Sequence, residues 1–136
     1  MISIFFIGLS NKIGKEPLSS ETLSGALVDK IIDVINFKCI KTNLVNHSPL
    51  DRNGKLRYPN IEEKNNGFKS LSLKLENNKP YIAVCLGKKV SDYLNNKVEN
   101  QINIKHPAYI GVYKRKDTDL YIKSTIDNIN AMILNL

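Results

Sequence analysis

The sequence has few of the residues that build metal centres and disulfide frameworks. Its only cysteines, Cys39 and Cys85, each lie inside an apolar segment, which predicts buried free thiols in core strands. Two cysteines cannot supply the four thiolates of an iron–sulfur cluster. The only histidines, His47 and His106, do not have the spacing of a zinc site. We therefore expect no metal and no other cofactor.

Long apolar segments are also absent. The first eight residues are mostly apolar, but they lack the cationic start and the small-residue cleavage site of a signal peptide. No run approaches the ~20 apolar residues that a membrane helix requires. These absences predict an intracellular, cytoplasmic protein without a membrane partner. The length of 136 residues predicts a single domain over residues 1–136, which we expect to be a monomer.

Acidic residues are scarce relative to basic ones. The chain has 20 Lys+Arg and 13 Asp+Glu, which gives a net charge of +7. A small basic domain attracts polyanions, so nucleic acid is the first partner class, ahead of an anionic membrane surface and a phosphorylated small molecule. Lys outnumbers Arg by 17 to 3, however, and a generic lysine-rich composition gives the same net charge.

Four apolar segments alternate with helical patterns along the chain. The apolar segments predict strands over Ile2–Ile7, Phe37–Val45, Pro80–Leu86 and Ile102–Lys105. Helices are predicted after a cap at Ser19 or Ser20, from Asn60 with an interruption at Asn65–Gly67, over Val90–Leu94 and over Thr118–Leu136. The βαβαβαβα order predicts an α/β fold: a three-layer α/β/α sandwich with a central four-stranded parallel sheet.

In such sheets, ligands bind in the loops that follow the carboxyl ends of the strands. These loops are Gly8–Ser20, Val45–Asn60, Gly87–Val90 and Lys105–Asp117. The first has neither the P-loop spacing nor a dinucleotide fingerprint. The fourth combines a histidine, aromatic residues and three consecutive basic residues, a pattern typical of nucleic-acid binding. A surface loop with solvated lysines gives the same composition.

The order of these segments resembles the uracil-DNA glycosylase superfamily over about residues 2 to 125. The resemblance is carried by Gly8-Leu9-Ser10, Pro17-Leu18 before Ser24-Gly25, the strand Lys41–Val45, Arg57-Tyr58-Pro59 before Glu62-Glu63, the strand Pro80–Gly87, and His106-Pro107-Ala108. It implies a uracil-DNA glycosylase-like fold and a hydrolase of DNA repair. Such an enzyme cleaves the N-glycosidic bond of uracil, or of a related modified pyrimidine, after the base has flipped out of single- or double-stranded DNA.

The resemblance also implies roles for individual residues. His106 matches the histidine that donates a hydrogen bond to the base oxygen on which negative charge develops. Asn43 matches the asparagine that reads the polar edge of the base. The remaining base-binding positions correspond to Gly8, Leu9 and Leu18.

A DNA-binding segment is implied directly after the histidine motif. Tyr109 or Ile110 would enter the base stack, and the basic triplet Lys114, Arg115 and Lys116 would contact phosphates. The positive charge of the chain is thereby interpreted as a DNA-facing edge.

One departure from the family pattern concerns the first motif. The family carries Asp, Asn or Glu shortly after the glycine, followed by proline, whereas this chain has Leu9, Ser10 and Asn11. Ser10 or Asn11 is left to orient the attacking water, and neither is a general base. Two alternatives to a glycosylase therefore stay open: a catalytically inactive nucleic-acid-binding module of the same fold, and an enzyme acting on free nucleotides or modified bases.

Overall fold

The computed structural model describes residues 1–136 and confirms the predicted parallel sheet. Its four strands are β1 (Ser3–Ser10), β2 (Lys38–Val45), β3 (Tyr81–Leu86) and β4 (Gln101–Ile104). All neighbouring pairs are parallel, in the order β2-β1-β3-β4. The long apolar runs of β1 and β3 follow from this order, because the two central strands are buried on both faces.

Five helices cover the two faces of the sheet. They are α1 (Leu23–Ile32), α2 (Ile61–Glu76), α3 (Lys88–Leu94), α4 (Pro107–Tyr113) and α5 (Thr118–Leu134), with a 3₁₀ turn at Arg115–Asp117 before α5. On one face, Phe5 packs with Leu71 of α2 and Leu94 of α3. On the other, Phe6 packs with residues of α1 and α5. The fold is thus the predicted three-layer α/β/α sandwich, and none of its helices is long and apolar enough to cross a membrane.

Helix α4 lies in a segment that the sequence predicts to be a loop, so that prediction is wrong. Pro107 occupies the first turn, where its missing N–H costs nothing, and His106 caps the helix. Seven residues are too few to give a helical periodicity in the sequence. The cap of α1 also differs from the prediction: Thr22, rather than Ser19 or Ser20, accepts a hydrogen bond from the N–H of Gly25 at 3.0 Å.

Helix α2 is continuous through Asn65–Gly67, where the sequence predicts an interruption. The reason is a close contact between the helix and the sheet. A Cβ atom added to Gly67 would lie 2.0 Å from the carbonyl oxygen of Leu44 in β2. Glycine therefore serves here to bring the helix against the strand rather than to end it. The capping box of Asn60 and Glu63 at the start of α2 is confirmed.

The two thiols are free but differ in position. Cys85 is fully buried in the central strand β3, and burial raises its pKa to about 12. Cys39 lies on the edge strand β2 and is only partly buried, with a pKa raised to about 11 by the same cause. The prediction of a buried thiol is thus confirmed for Cys85 and not for Cys39.

Candidate active site

A cavity of about 660 Å³ lies at the carboxyl ends of the strands. The ends of β1, β2 and β3 contribute residues to it, as does the segment after β4. Because the strands are parallel, residues far apart in sequence meet at this edge of the sheet. Asn43, from β2, and His106, which follows β4, therefore line the same cavity.

Asn43 is 2% exposed and is paired in the sheet with Gly8. Its Nδ2 donates a hydrogen bond to Oδ1 of Asn11 at 2.8 Å. Its Oδ1 lies over Gly8, where an added Cβ would approach it to 2.4 Å. This oxygen has no hydrogen-bond partner in the protein, yet it is not sealed from solvent. The absence of a side chain at Gly8 thus makes room for a hydrogen-bond acceptor that opens into the cavity.

His106 holds its imidazole in one defined state. Its Nδ1 accepts a hydrogen bond from the backbone N–H of Ala108 at 3.1 Å, so the proton of the neutral ring is assigned to Nε2. Burial, and secondly the charge of Lys12, lower the pKa of His106 below its ordinary value. The residue is therefore a neutral hydrogen-bond donor at neutral pH. Gly87 packs against it, since a Cβ there would lie 3.2 Å from Cβ of His106.

Apolar and hydroxyl groups complete the inner wall. Leu18 is buried, has a positive φ of 50°, and places its Cδ2 over Gly8. Leu9 and Ser10, at the end of β1, also line the cavity. The Ser10 hydroxyl makes no hydrogen bond within the protein, and so it is free to bind a ligand or a water molecule. The structure therefore brings Gly8, Leu9, Leu18 and Asn43 together around one space.

Asn11 lies elsewhere than the sequence predicts. It does not line the cavity, and both ends of its amide are bonded within the protein: Oδ1 to Asn43, and Nδ2 to the carbonyl oxygen of Asn46 at 3.4 Å. The predicted role of orienting water in the cavity does not fit this position, because Asn11 is not one of the lining residues.

The outer wall of the cavity is cationic. Lys12, Arg57, Lys88 and Lys89 line it, together with a single carboxylate, Glu16. Sequence reasoning gave these cations no role, although all of them belong to or adjoin loops at the carboxyl edge of the sheet. Their place in these loops is the sequence feature from which they could have been identified as lining residues.

Two of these cations are held in place by neighbours. Arg57 contacts the Glu63 carboxylate at 2.7 Å, and Glu63 also pairs with His47 at 3.0 Å. Arg57 first, then the backbone N–H of Asn60 and His47, lower the pKa of Glu63 to about 2. Lys89 lies 4.2 Å from the ring centroid of Tyr58. The loop between β2 and α2 is thereby fastened beside the cavity.

The predicted DNA-binding residues lie on and after α4, outside the cavity. Tyr109 is 42% exposed, and its ring contacts that of Tyr113 in a tilted arrangement, with 5.4 Å between the ring centroids. Ile110 is only 5% exposed, so its predicted insertion into DNA conflicts with its place in the protein interior. The basic triplet Lys114–Lys116 is exposed, and none of its members has a carboxylate within 4.0 Å.

No group of three or more His, Cys, Asp or Glu side chains comes together as a metal site would require. In comparisons with known proteins, neither a protein-family model nor a curated protein matches this sequence. Among solved structures, the chain is similar to the wild-type SMUG2 of Pedobacter heparinus. The TM-score is 0.65 at 15% identity, and the match covers 94% of this chain and 74% of SMUG2. This chain therefore shares the α/β fold of SMUG2.

Proposed function

We propose that this protein is a DNA glycosylase, a divergent member of the uracil-DNA glycosylase superfamily that its motifs resemble. It hydrolyses the N-glycosidic bond of uracil or a related modified pyrimidine flipped out of DNA. The observation that carries the proposal is that Asn43 and His106 line one cavity at the carboxyl edge of the sheet. The first is a buried amide with a free acceptor, and the second is a neutral imidazole with a free donor.

Recognition of the base is assigned to Asn43 and the apolar wall. The cavity volume of about 660 Å³ lies within the ~300–1,000 Å³ of ordinary small-ligand sites, so a single base fits. Leu9 and Leu18 contact the faces of the ring, and the Asn43 amide pairs with its polar edge. A bidentate amide contact discriminates between bases by ~1–3 kcal/mol in groove readout.

Bond cleavage depends on His106. An N-glycosidic bond breaks through an oxocarbenium-like transition state, in which negative charge develops on the departing base. The Nε2–H of His106 donates to the base oxygen that takes up this charge, and a neutral ring does so without transferring its proton. Removal of one such donor costs ~10²–10³-fold in rate in enzymes that stabilise an oxyanion.

The attacking water is assigned to Ser10 and Glu16. The free hydroxyl of Ser10 orients the water, and Glu16 is the one carboxylate on the cavity wall that can accept its proton. General base catalysis contributes ~10²–10⁴-fold. A Glu16→Gln variant is therefore expected to lose catalysis and to keep binding.

The DNA backbone is assigned to the basic triplet Lys114–Lys116 and to the cations of the outer wall. The triplet is free of carboxylate partners, so its binding to phosphates breaks no ion pair in the protein. Tyr109, the exposed aromatic residue of α4, is the group that enters the base stack.

A catalytically inactive nucleic-acid-binding module is the second candidate. It is favoured by the lack of a carboxylate in the segment Gly8–Asn11, where the superfamily pattern has a residue that positions water. The cationic wall of the cavity suits this candidate as well as it suits a glycosylase.

Uracil-containing single- and double-stranded oligonucleotides, followed by alkaline cleavage of abasic sites, separate the two candidates. We expect product with the wild type, at least ~10²-fold less with His106→Ala, and unchanged product with His47→Ala. His47 is the matched control, because it is the only other histidine and does not line the cavity. Salt-dependent binding without product would establish the binding module, and the absence of both would contradict the proposal.

A further inference from the structure

The side chain of Asn11 joins three segments near the floor of the cavity. Its Oδ1 accepts a hydrogen bond from Asn43 Nδ2 at 2.8 Å, and its Nδ2 donates to the carbonyl oxygen of Asn46 at 3.4 Å. Its backbone N–H donates to the carbonyl oxygen of His47 at 3.1 Å. Asn11 is thus fixed to the chain that follows β2 by both its backbone and its side chain.

The direction of this hydrogen-bond chain is set by the Asn46 carbonyl. A backbone carbonyl oxygen can only accept, so Asn11 must turn Nδ2 toward Asn46 and Oδ1 toward Asn43. Asn43 must then turn its Nδ2 toward Asn11, which leaves its Oδ1 over Gly8 and open to the cavity. A flipped Asn43 would bring two amide oxygens within about 2.8 Å of each other, with no proton between them.

The orientation of Asn43 decides which base edge it can pair with. Its Oδ1 accepts from a ring N–H, and the Nδ2 proton that is not bonded to Asn11 donates to an adjacent carbonyl. Uracil presents this pattern, an N–H beside a carbonyl oxygen. Cytosine presents an unprotonated ring nitrogen beside an amino group, so both contacts are mismatched.

We propose that Asn11 is a positioning residue that fixes the orientation of the Asn43 amide and thereby makes the cavity select an N–H/carbonyl base edge over that of cytosine. The inference rests on the proposed function, in which Asn43 reads the base. The new element is that the orientation of the Asn43 amide is set by Asn11, a residue outside the cavity, and that Asn11 is in turn oriented by the backbone carbonyl of Asn46.

Two variants of Asn11 test the inference. In Asn11→Asp, a carboxylate oxygen still accepts from Asn43 Nδ2, so the orientation is kept although the bond to Asn46 is lost. In Asn11→Ala nothing accepts from Nδ2, and the two orientations of Asn43 become similar in free energy. We expect the ratio of uracil to cytosine cleavage to fall roughly five- to tenfold in N11A and to stay near the wild-type value in N11D.

The ratio separates this role from a merely structural one, because a general loosening of the site slows both reactions and leaves the ratio unchanged. An unchanged ratio in N11A overturns the inference while the glycosylase proposal stands. Equal loss of preference in N11D and N11A overturns it too. If the N11A chain does not fold, Asn11→Ser, whose side chain is too short to reach both partners, provides the same comparison.

A second readout does not require catalysis. In the free protein, NMR detects the Asn43 side-chain amide, and we expect one protected Nδ2 proton in the wild type and N11D but none in N11A. If the wild type cleaves no base, the glycosylase proposal fails. The inference is then tested by this NMR signal and by the relative affinity for uracil- and cytosine-containing oligonucleotides. It is contradicted if the wild type has no protected Nδ2 proton, or if the wild type binds the two oligonucleotides equally well.

Discussion

Replacement of Gly67 by alanine tests the contact that holds α2 against the sheet. Alanine in place of glycine inside a helix ordinarily stabilises it by ~1 kcal/mol. At Gly67, however, the added Cβ would lie 2.0 Å from the carbonyl oxygen of Leu44, which is 1.0 Å below the 3.0 Å limit of real contacts. Both partners are fixed to backbone, so no side-chain rotation relieves the clash and the helix must move away from β2.

That movement opens the packing of Leu71 and Leu75, each 2% exposed, against the sheet. Overpacking and the loss of these contacts together cost ~2–4 kcal/mol, of which the helix propensity recovers ~1 kcal/mol. We therefore expect Gly67→Ala to lower the free energy of unfolding by about 1–3 kcal/mol. Because Leu44 follows Asn43, the same shift also disturbs the cavity.

Gly111 in α4 provides the matched control. A Cβ there would meet only Leu23 carbons, at 3.9 Å or more, so Gly111→Ala has the propensity gain without the clash. Urea unfolding measures the free energy of unfolding of both variants, provided that the m value is unchanged. Thermal unfolding checks the result, because each kcal/mol shifts the melting temperature by ~4 °C. The reasoning would be refuted if both substitutions stabilised the protein, since α2 would then not approach β2 as closely as described.

Three further results are expected. Replacing the basic triplet Lys114–Lys116 with glutamine lowers the slope of log affinity against log salt by ~2–3, whereas Lys123→Gln, which removes a lysine paired with Asp127, leaves the slope unchanged. By NMR, His106 titrates below pH 6.5, and its midpoint rises only partly in Lys12→Gln, because burial is the larger cause of its lowered pKa. The Glu63 contacts with Arg57 and His47 stabilise the folded state fully above pH 4.5 and lose this effect as the pH falls toward 2, since the folded pKa is the lower one. The protection of amides in the loop between β2 and α2, measured relative to their intrinsic exchange rates, then falls over that range in the wild type and is low at all pH values in Glu63→Gln.

The strands were predictable from sequence because a central parallel strand is apolar on both faces. The runs Ile2–Ile7 and Pro80–Leu86 could therefore be identified without knowledge of their neighbours. Helix α4 was not predictable in this way, because it is seven residues long and begins with proline. The role of Gly67 could not be predicted either, because the sequence does not distinguish a glycine that ends a helix from one that allows a helix to pack closely against a strand.

The candidate site was predictable where a residue belongs to a strand end. Asn43 and His106 could be placed at the same edge because parallel strands end together. The contact between Asn11 and Asn43 could not, since it depends on how two loops pack in space. The burial of Ile110 beside the exposed Tyr109 likewise depends on which face of α4 meets the protein, and a loop assignment carries no such information.

The two thiols lie at different depths in the sheet, so their reactivities can distinguish local opening of the edge strand from global unfolding. Cys39, already partly exposed on the edge strand, becomes fully accessible to an alkylating reagent when β2 separates from β1, whereas Cys85 requires the centre of the sheet to come apart. The two labelling rates, measured by mass spectrometry on one sample, thus compare fraying of the strand that carries Asn43 with global unfolding. Oligonucleotide binding at the carboxyl edge would slow the labelling of Cys39 relative to its rate in the unbound chain, and this change would report occupancy of the site.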